Sequence, residues 1–332
     1  MVSLRRIFSA QLPLPQPMFY PLLRPLLFAL DPETAHDAAF AGLDAATACG
    51  AARAFAPRVR SAPVTAMGLT FPNRVGLAAG LDKNAAHLAG LATFGFGFLE
   101  AGTVTPRAQP GNPKPRMWRL PQANALINRL GFNNDGADAI AERLKIWSAA
   151  ATPPLFVNIG KNRDVDNYSQ CYDRVAPHAD VVTLNLSSPN TPGLRDFQKP
   201  DSMHQLLKSI QKRGPILVKI APDLDDVQLA EICDVCVALA DGMICTNTTI
   251  AKPAGMNEAG GLSGAPLMQR STDILRRVRE RVGSGYPLIG VGGIFTVDDV
   301  RAKMIAGADL VQLYTSFIYE GPMLPARLAR QL

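Results

Sequence analysis

Residues 179–195 read ADVVTLNLSSPNTPGLR, an apolar run followed at once by a polar one. The alternating Val and Leu up to Leu186 predict a strand buried in a parallel sheet. From Asn185 to Arg195 the chain holds amides, hydroxyls, prolines and a glycine, and proline and glycine restrict a loop to few conformations. An Asn side chain both donates and accepts, which suits a planar ligand with carbonyl and N–H groups. A polar turn is the ordinary interpretation of Ser-Ser-Pro-Asn alone, but the length of this polar run indicates a ligand site.

On both sides of this stretch, strand-like and helix-like runs alternate from Val75 to Tyr314. We predict strands at Val75–Ala79, Phe96–Gly102, Leu155–Ile159, Val181–Leu186, Ile216–Ile220, Gly242–Thr246, Leu288–Val291 and Leu310–Tyr314. Helices are predicted between them, for example at Ala137–Trp147, Met203–Lys212, Val227–Ala240, Leu267–Val282 and Val297–Ile305. Such alternation fits a closed barrel better than an open sheet. The predicted fold is therefore α/β, a (β/α)8 TIM barrel with an N-terminal helical extension.

Residues 1–48 differ in character from the predicted barrel. Residues 1–17 form an arm with two arginines and no acid, and the sequence assigns it no role. Residues 18–30 crowd large apolar side chains around Arg24 alone, and Asp31-Pro32-Glu33 predicts the N-cap and first turn of a second helix. Two such amphipathic helices could cap the core or lie in a membrane interface. We expect two units, residues 1–48 for membrane and acceptor access and residues 49–332 for the barrel.

Composition excludes several classes of protein. Hydrophobic residues make up 47% and charged residues 19% of the chain, which describes a globular protein with a sizeable core. The net charge of +6 is spread along the chain, so nucleic-acid binding is not expected, while an anionic membrane surface would be favoured. The five cysteines are scattered and odd in number, which indicates a reducing compartment. Cys233 and Cys236 lie in a helix-like run without further ligands, so core packing is expected, and no metal site is predicted.

Polar residues concentrate at the carboxyl ends of the predicted strands, where barrel enzymes hold their sites. These ends carry Ala79–Lys83, Thr103, Asn158, Asn185, Lys219, Thr246–Thr248, Gly292–Gly293 and Tyr314–Thr315. Small residues after the last two strands suit a phosphate cradle built from backbone N–H groups. No carboxylate pair or nucleophile–His–acid set stands out, so the inventory suits a phosphorylated cofactor and a small polar substrate rather than hydrolysis. The long insertion Pro106–Asn134 has the character of a lid or substrate-contacting element.

Several motifs, in this order along the chain, resemble those of the quinone-dependent class of the dihydroorotate dehydrogenase family. They are GLAAGLDK at 76–83, NRLGFN at 128–133, NIGKN at 158–162, NLSSPNTPGLR at 185–195, TNTT at 246–249, GGLSG at 260–264, VGGI at 291–294 and LYT at 313–315. The resemblance covers residues 18–325. It implies an oxidoreductase with one FMN per chain that oxidises (S)-dihydroorotate to orotate in de novo pyrimidine biosynthesis and reduces a membrane quinone. Ser188 at the base position, together with Asp31, Pro32, Glu33 and His36 in the helix pair, points to the quinone-dependent class.

The same resemblance implies a role for individual residues. FMN would be bound by Ala79, Gly80, Leu81, Asp82, Lys83, Thr103, Asn158, Asn185, Lys219, Thr246, Gly264, Gly293, Tyr314 and Thr315. The substrate would be bound by Lys83, Asn128, Arg129, Leu130, Gly131, Phe132, Asn185, Asn190, Asn247 and Thr248. Ser188 would be the catalytic base, and the quinone route would pass His36, Arg119 and Tyr314. The helix pair would bind the membrane surface, and we expect a peripheral protein on the cytoplasmic face of a bacterial inner membrane.

The implied reaction removes a hydride from C6 of dihydroorotate to the flavin and a proton from C5 to Ser188. A serine hydroxyl is a weak base and no histidine is placed to assist it, so we expect a relay through water or another hydroxyl. Three alternatives stay open at this point. They are an FMN barrel with a soluble acceptor such as fumarate or NAD, a flavin-free phosphate-binding isomerase or lyase, and a catalytically inactive membrane scaffold.

Overall fold

The computed structural model describes residues 19–59, 62–148, 153–162, 167–191, 193–253 and 255–332. Its strands are β1 (Val64–Ala66), β2 (Leu69–Phe71), β3 (Val75–Leu77), β4 (Phe98–Val104), β5 (Arg107–Gln109), β6 (Met117–Leu120), β7 (Ala125–Asn128), β8 (Asn134–Gly136), β9 (Leu155–Ile159), β10 (Val181–Asn185), β11 (Ile216–Ile220), β12 (Gly242–Cys245), β13 (Gly261–Gly264), β14 (Leu288–Val291) and β15 (Leu310–Leu313). Its α-helices are α1 (Phe19–Ala29), α2 (Pro32–Ala48), α3 (Ala51–Ala54), α4 (Leu88–Ala92), α5 (Ala137–Ser148), α6 (Tyr168–Val175), α7 (Pro200–Ser209), α8 (Asp226–Leu239), α9 (Met268–Val282), α10 (Val297–Ile305), α11 (Thr315–Glu320) and α12 (Leu324–Gln331). The predicted arm, residues 1–17, lies outside the described residues, as do Met18 and Pro192 of the stretches quoted above.

The barrel is closed by parallel strands in the order β3-β4-β9-β10-β11-β12-β14-β15. This order follows the chain, so the predicted (β/α)8 barrel and its N-terminal helical extension are confirmed. β9, β11 and β14 have the predicted bounds, and the other barrel strands differ from them by one or two residues at an end. β9, β10 and β11 are buried along their whole length. A strand that is buried on both faces gives an unbroken apolar run, which is why these strands could be placed from the sequence.

The amino end of the barrel is closed by an aromatic cluster. Phe71 of β2 packs edge-on against Phe98 and Phe156, with ring centroids 5.5 and 6.0 Å away, and these two rings lie 4.8 Å apart. Phe71 is brought there by the hairpin of β1 and β2, which the sequence analysis did not predict. Since this end is filled, a ligand of the barrel interior has access from the carboxyl ends of the strands.

The insertion Pro106–Asn134 contains the strands β5, β6 and β7 and the first residue of β8. β6 and β7 pair antiparallel, and β13 adds to the other edge of β7, which makes a three-stranded sheet. β5 pairs with β8 in a second small sheet. The register sets Asn128, the last residue of β7, opposite Gly261. The insertion was predicted as a lid or a substrate-contacting element, and the structure shows that part of it is held in a sheet by β13, a strand from a distant part of the chain.

The N-terminal helices pack on the barrel but leave an apolar face uncovered. Asp31 caps α2 by accepting hydrogen bonds from the N–H groups of Glu33 and Thr34 at 3.0 and 3.2 Å, as the sequence predicts. Arg24 of α1 donates to the carbonyl of Tyr319 at 2.9 Å. On α1, by contrast, Leu22, Leu23 and Leu26 are 74%, 52% and 68% exposed. Within the described part of the chain, no helix is long and apolar enough to span a membrane.

The C-x-x-C pair lies inside helix α8. Cys233 and Cys236 are both fully buried, and the thiol of Cys236 contacts the sulfur of Met203 on α7. Burial raises the pKa of the Cys233 thiol to about 11, so it is neutral at physiological pH. The predicted core packing of this pair is confirmed.

Candidate active site

A polar pocket opens at the carboxyl ends of the barrel strands. It brings together residues from the ends of most strands and from the sheet above them. Its lining includes Ala79, Gly80, Lys83, Thr103, Asn128, Leu130, Gly131, Phe132, Asn185, Ser188, Asn190, Lys219, Thr246, Asn247, Thr248, Gly264, Gly293, Tyr314 and Thr315. Each of these was predicted from the sequence as a site residue. Parallel strands bring their carboxyl ends to the same edge, which is why residues far apart in sequence meet here.

Four of the predicted binding residues do not line this pocket. Asn158 lies directly behind its wall, fully buried, and accepts hydrogen bonds from Thr103 Oγ1 at 2.6 Å and Asn185 Nδ2 at 3.2 Å. Arg129 turns outward, where its guanidinium donates to the carbonyl of Pro115 at 2.9 Å. Leu81 and Asp82 line a second cavity instead. The side chains of Arg129, Leu81 and Asp82 therefore do not face a ligand of the polar pocket.

The carboxylate of Asp82 has a structural task. It accepts hydrogen bonds from the backbone N–H groups of Ala86 and His87 at 3.0 and 2.8 Å. The side chain is buried, and burial raises its pKa in spite of these hydrogen bonds. No ion pair joins Asp82 to Lys83 among the described residues. Asp82 thus shapes the turn that carries Lys83 into the pocket.

The loop after β10 carries the serine that was predicted as base. Ser188 is buried at the pocket wall and accepts a hydrogen bond from the backbone N–H of Asn190 at 3.3 Å. Asn190 in turn donates through Nδ2 to the carbonyl of Asn128 at 3.1 Å. Arg195 holds the loop from behind, donating to the carbonyl of Ser187 and to Asp223, both at 3.2 Å. No histidine lines the pocket among the described residues, so the hydroxyl lacks the usual basic partner.

The far side of the pocket is formed by backbone. Gly292, Gly293 and Ile294 follow β14, and Thr315 and Ser316 begin α11, and all of them line the pocket. Gly293 has a φ of 79° and lies so close to α9 that a Cβ there would be 2.4 Å from the Cβ of Met268. Only glycine fits such a position. The result is the predicted small-residue cradle at this side of the pocket.

Two lysines give the pocket its positive charge. Lys219 at the end of β11 is 5% exposed and has no hydrogen bond or ion pair among the described residues. A buried ammonium without a partner is costly, so this position favours an anionic or electron-rich ligand. Lys83 stands at the opposite rim. Desolvation lowers the pKa of Lys83 to about 8, and the carboxylate of Glu33 on α2 opposes that shift.

A second, apolar cavity of about 940 Å³ lies between the helix pair and the barrel. The three residues predicted for a quinone route, His36, Arg119 and Tyr314, all line it. Burial lowers the pKa of His36 to about 4, so its ring is neutral at physiological pH. Arg119 donates to the carbonyl of Leu30 at 2.8 Å and lies 4.8 Å from the centre of the Phe28 ring.

The two cavities meet at three residues. Lys83, Leu130 and Tyr314 line both the polar pocket and the apolar cavity. The Tyr314 ring lies against Gly80, where a Cβ would be 3.3 Å from it, and its hydroxyl donates to the Gly80 carbonyl at 3.4 Å. Burial raises the pKa of Tyr314 to about 12, so the hydroxyl keeps its proton. Lys83, Leu130 and Tyr314 therefore form a common wall between the two cavities.

Sequence reasoning missed a buried carboxylate beneath the pocket. Glu100 lies in the middle of β4, is 1% exposed, and contacts Asn158 and Gln312. Gln312 itself lines the pocket, as do Ser263, Phe295 and Ser316, which were also missed. The sequence did contain an indication of Glu100, because a charged residue inside an otherwise apolar central strand needs hydrogen-bond partners. Within the described residues, no group of His, Cys, Asp or Glu is arranged to hold a metal ion.

Comparison with known proteins agrees with this architecture. A family model described as dihydroorotate dehydrogenase matches residues 61–332. The chain is 51% identical over 336 residues to a protein named dihydroorotate dehydrogenase (quinone) from Paraburkholderia xenovorans, covering 94% of this chain and 98% of that protein. It is 48% identical to the protein of the same name from Thiobacillus denitrificans, covering 95% and 99%. Among solved structures, a dihydroorotate dehydrogenase of Eimeria tenella in complex with ferulenol superimposes with a TM-score of 0.81 at 38% identity, covering 90% of each chain.

Proposed function

The chain belongs to the dihydroorotate dehydrogenase family, and from this premise we propose that it oxidises dihydroorotate to orotate with FMN and a membrane quinone, a step of de novo pyrimidine biosynthesis. One observation carries the proposal. A polar pocket that gathers the predicted cofactor and substrate residues adjoins an apolar cavity that gathers the predicted quinone residues. Their common wall is Lys83, Leu130 and Tyr314. Two half-reactions with ligands of opposite polarity require two adjoining sites of this kind.

The polar pocket fits one FMN per chain. The cradle of Gly292, Gly293 and Ile294 suits a phosphate, because backbone N–H groups can approach it closely. Lys219 suits the electron-rich edge of the flavin ring. Gln312 Oε1 is buried without a hydrogen-bond partner among the described residues, so the pocket offers an acceptor to a ring N–H. Bound FMN would supply the hydride acceptor and pass the electrons on.

The residues on the other side of the pocket suit the substrate. We assign Lys83 to its carboxylate, and Asn128, Asn185, Asn190, Asn247 and Thr248 to its amide and carbonyl groups. We assign to Ser188 the removal of the proton from C5 of the substrate, since this serine lines the pocket on the loop after β10. Thr191 in the same loop has a buried hydroxyl without a partner among the described residues, so we propose it for the relay, reached from Ser188 through water. Leu130, Gly131 and Phe132 shape this wall, while the side chain of Arg129 turns away to Pro115.

The helix pair is assigned to the acceptor. We place the quinone ring in the apolar cavity between His36, Arg119 and Tyr314, close to Tyr314 at the common wall. The exposed Leu22, Leu23 and Leu26 of α1 would enter the membrane interface, which makes the protein peripheral. Residues 1–48 would thus be the membrane and quinone unit and residues 49–332 the catalytic unit. A cytoplasmic face of a bacterial inner membrane is the proposed location.

A cofactor and acceptor assay tests this function. Heat-released cofactor should co-elute with FMN in one equivalent per chain. Turnover of dihydroorotate should occur with a short-chain quinone and be absent with fumarate or NAD. Turnover with a soluble acceptor alone, or protein without flavin, would contradict the proposal and favour the corresponding alternative named above.

A further inference from the structure

The carboxylate of Glu100 receives three hydrogen bonds inside the barrel. Oε2 accepts from the backbone N–H of Ala79 at 3.2 Å and from Gln312 Nε2 at 2.7 Å. Oε1 accepts from Asn158 Nδ2 at 2.9 Å. Glu100 does not line either cavity and forms no ion pair among the described residues. Glu100 therefore takes no direct part in the proposed reaction, although burying a carboxylate costs free energy that other interactions must offset.

A chain of amides runs from Glu100 to the substrate side of the pocket. Asn158 turns its NH₂ to Glu100, so its Oδ1 accepts from Asn185 Nδ2 at 3.2 Å. Asn185 Oδ1 then accepts from Asn247 Nδ2 at 3.2 Å. Asn247 Oδ1 accepts from the backbone N–H of Thr248 at 2.8 Å. All of these hydrogen bonds donate in one direction, from Thr248 towards the carboxylate.

Both ends of this chain are fixed by groups that cannot reverse. The Thr248 N–H only donates, and the Glu100 oxygens accept from the N–H groups of Ala79, Asn158 and Gln312. The order of the amide oxygens and nitrogens in between is therefore determined, not free to flip. Asn185 and Asn247 line the pocket, and Asn185 Oδ1 also accepts from the backbone N–H of Ser187 at 3.4 Å. The groups they offer to a ligand are thus held from the Ser187 and Thr248 side and, through Asn158, by a residue that the ligand does not touch.

We propose that Glu100 is a positioning residue that sets the donor and acceptor orientation of Asn185 and Asn247 for the pyrimidine substrate. This inference rests on the proposed function, because it takes the pocket to bind FMN and orotate. A glutamine at this position would carry one oxygen and one NH₂. The Ala79 N–H and Gln312 Nε2 would hold the oxygen of such a side chain where Oε2 now lies. The NH₂ of the glutamine must then face the NH₂ of Asn158. Two donors meet there, and neither finds an acceptor.

A double-mutant cycle with orotate as probe tests the proposal on the FMN-loaded, full-length protein. Glu100→Gln should raise the orotate dissociation constant about 10-fold to 100-fold, because a reoriented pocket amide would leave a group of the bound orotate without its hydrogen-bond partner. Asn158→Asp should also weaken binding, since two carboxylates would then face each other. The double variant Glu100→Gln with Asn158→Asp should bind orotate within about 5-fold of wild type, because the introduced amide could donate to the introduced carboxylate, which would again accept from Asn185 Nδ2 as in the native protein. Flavin content and melting temperature are measured on every variant.

The results that would overturn this proposal differ from the results that would overturn the proposed function. A wild-type protein that binds neither FMN nor orotate overturns the proposed function. With wild-type binding in place, unchanged orotate affinity in Glu100→Gln, or a folded double variant no better than its weaker parent, overturns the positioning role. If Glu100→Gln alone fails to fold, a folded double variant with near wild-type affinity supports the role. A folded double variant without orotate binding contradicts it.

Discussion

The guanidinium of Arg116 lies against the carboxylate of Glu33 and ties the N-terminal helix pair to the sheet above the barrel. Arg116 Nε donates to Glu33 Oε1 and Oε2 at 3.1 and 3.0 Å, and Nη2 donates to Oε1 at 2.7 Å. Their side chains are 7% and 18% exposed, which leaves little room for water between them. Burial alone would raise the pKa of Glu33, but the hydrogen bonds and charge of Arg116 hold this pKa below its usual range. The helix pair is thus attached by a specific polar contact as well as by apolar packing.

Replacing Arg116 with Met should destabilise the protein markedly. Arg116 also donates to the carbonyls of Pro110 and Asn112 at 2.6 and 2.9 Å, so its loss leaves several buried acceptors unsatisfied. We expect the free energy of unfolding to fall by about 2–4 kcal/mol, measured by denaturant titration. Arg281→Met is the matched control, because its pair with Asp234 is 52% and 58% exposed and such surface pairs contribute little to stability. Equal losses in the two variants would contradict the anchoring role of Arg116.

Ser188→Ala should separate binding from proton removal. FMN content and dihydroorotate affinity should be retained, since only the hydroxyl is lost from the wall. Flavin reduction in an anaerobic stopped-flow experiment should slow by at least about 100-fold, the usual effect of losing a general base. Ser187→Ala removes the same atom one residue away, where the hydroxyl accepts from Asn247 Nδ2 at 3.0 Å. That control should mainly weaken substrate binding, and a wild-type rate of flavin reduction in Ser188→Ala would refute the assignment of the base.

The barrel could be predicted from the sequence because its signals are local. β9 runs from Leu155 to Ile159 in both prediction and structure, and every residue in it is buried. The strand ends could be predicted as a site for a related reason, since parallel strands place their carboxyl ends together. The β1–β2 hairpin was missed because its strands have three residues each, too few for a periodic pattern.

Other features depend on partners that the sequence does not place. Glu100 pairs with Asn158 and Gln312, which are 58 and 212 residues away along the chain. Asp82 was predicted to bind the cofactor because the motif GLAAGLDK at residues 76–83 resembles that of the dihydroorotate dehydrogenase family. Its carboxylate turns to the N–H groups of Ala86 and His87, and such a choice depends on the path of the loop rather than on residue type.

The pH dependence of substrate binding should follow Lys83. Its pKa of about 8 means that the ammonium is present below about pH 8 and is lost as the pH rises. Since the cation binds the substrate carboxylate, kcat/KM for dihydroorotate should decline above about pH 8. Glu33→Gln removes a carboxylate that raises this pKa, so the decline should begin at lower pH. Asp135→Asn, at an exposed pair with Arg143, is the control and should leave the profile unchanged. An identical profile in Glu33→Gln would contradict the electrostatic link.

The exposed face of α1 should govern contact with lipid. Replacing Leu22, Leu23 and Leu26 together with Ser should reduce sedimentation with anionic liposomes and lower turnover with a long-chain quinone. Reduction of the flavin by dihydroorotate should keep its rate, because the polar pocket is not touched.

The same replacement at exposed apolar residues of other helices tests whether the effect is specific to α1. Ile146, Ile305 and Val227 are 79%, 87% and 67% exposed on other helices of the molecule. Their replacement with Ser should leave both liposome binding and quinone turnover unchanged. Undiminished lipid binding in the α1 variant would show that α1 is not the membrane contact.

The central claim is that two adjoining sites carry two half-reactions through one bound flavin. An anaerobic titration followed by visible absorbance tests it most directly. Addition of dihydroorotate to the purified protein should bleach the oxidised-flavin band at about 450 nm, in proportion to the flavin present. A water-soluble quinone added next should restore the band, while fumarate or NAD should not. A protein that lacks this band, or whose band persists with excess dihydroorotate, would contradict the account.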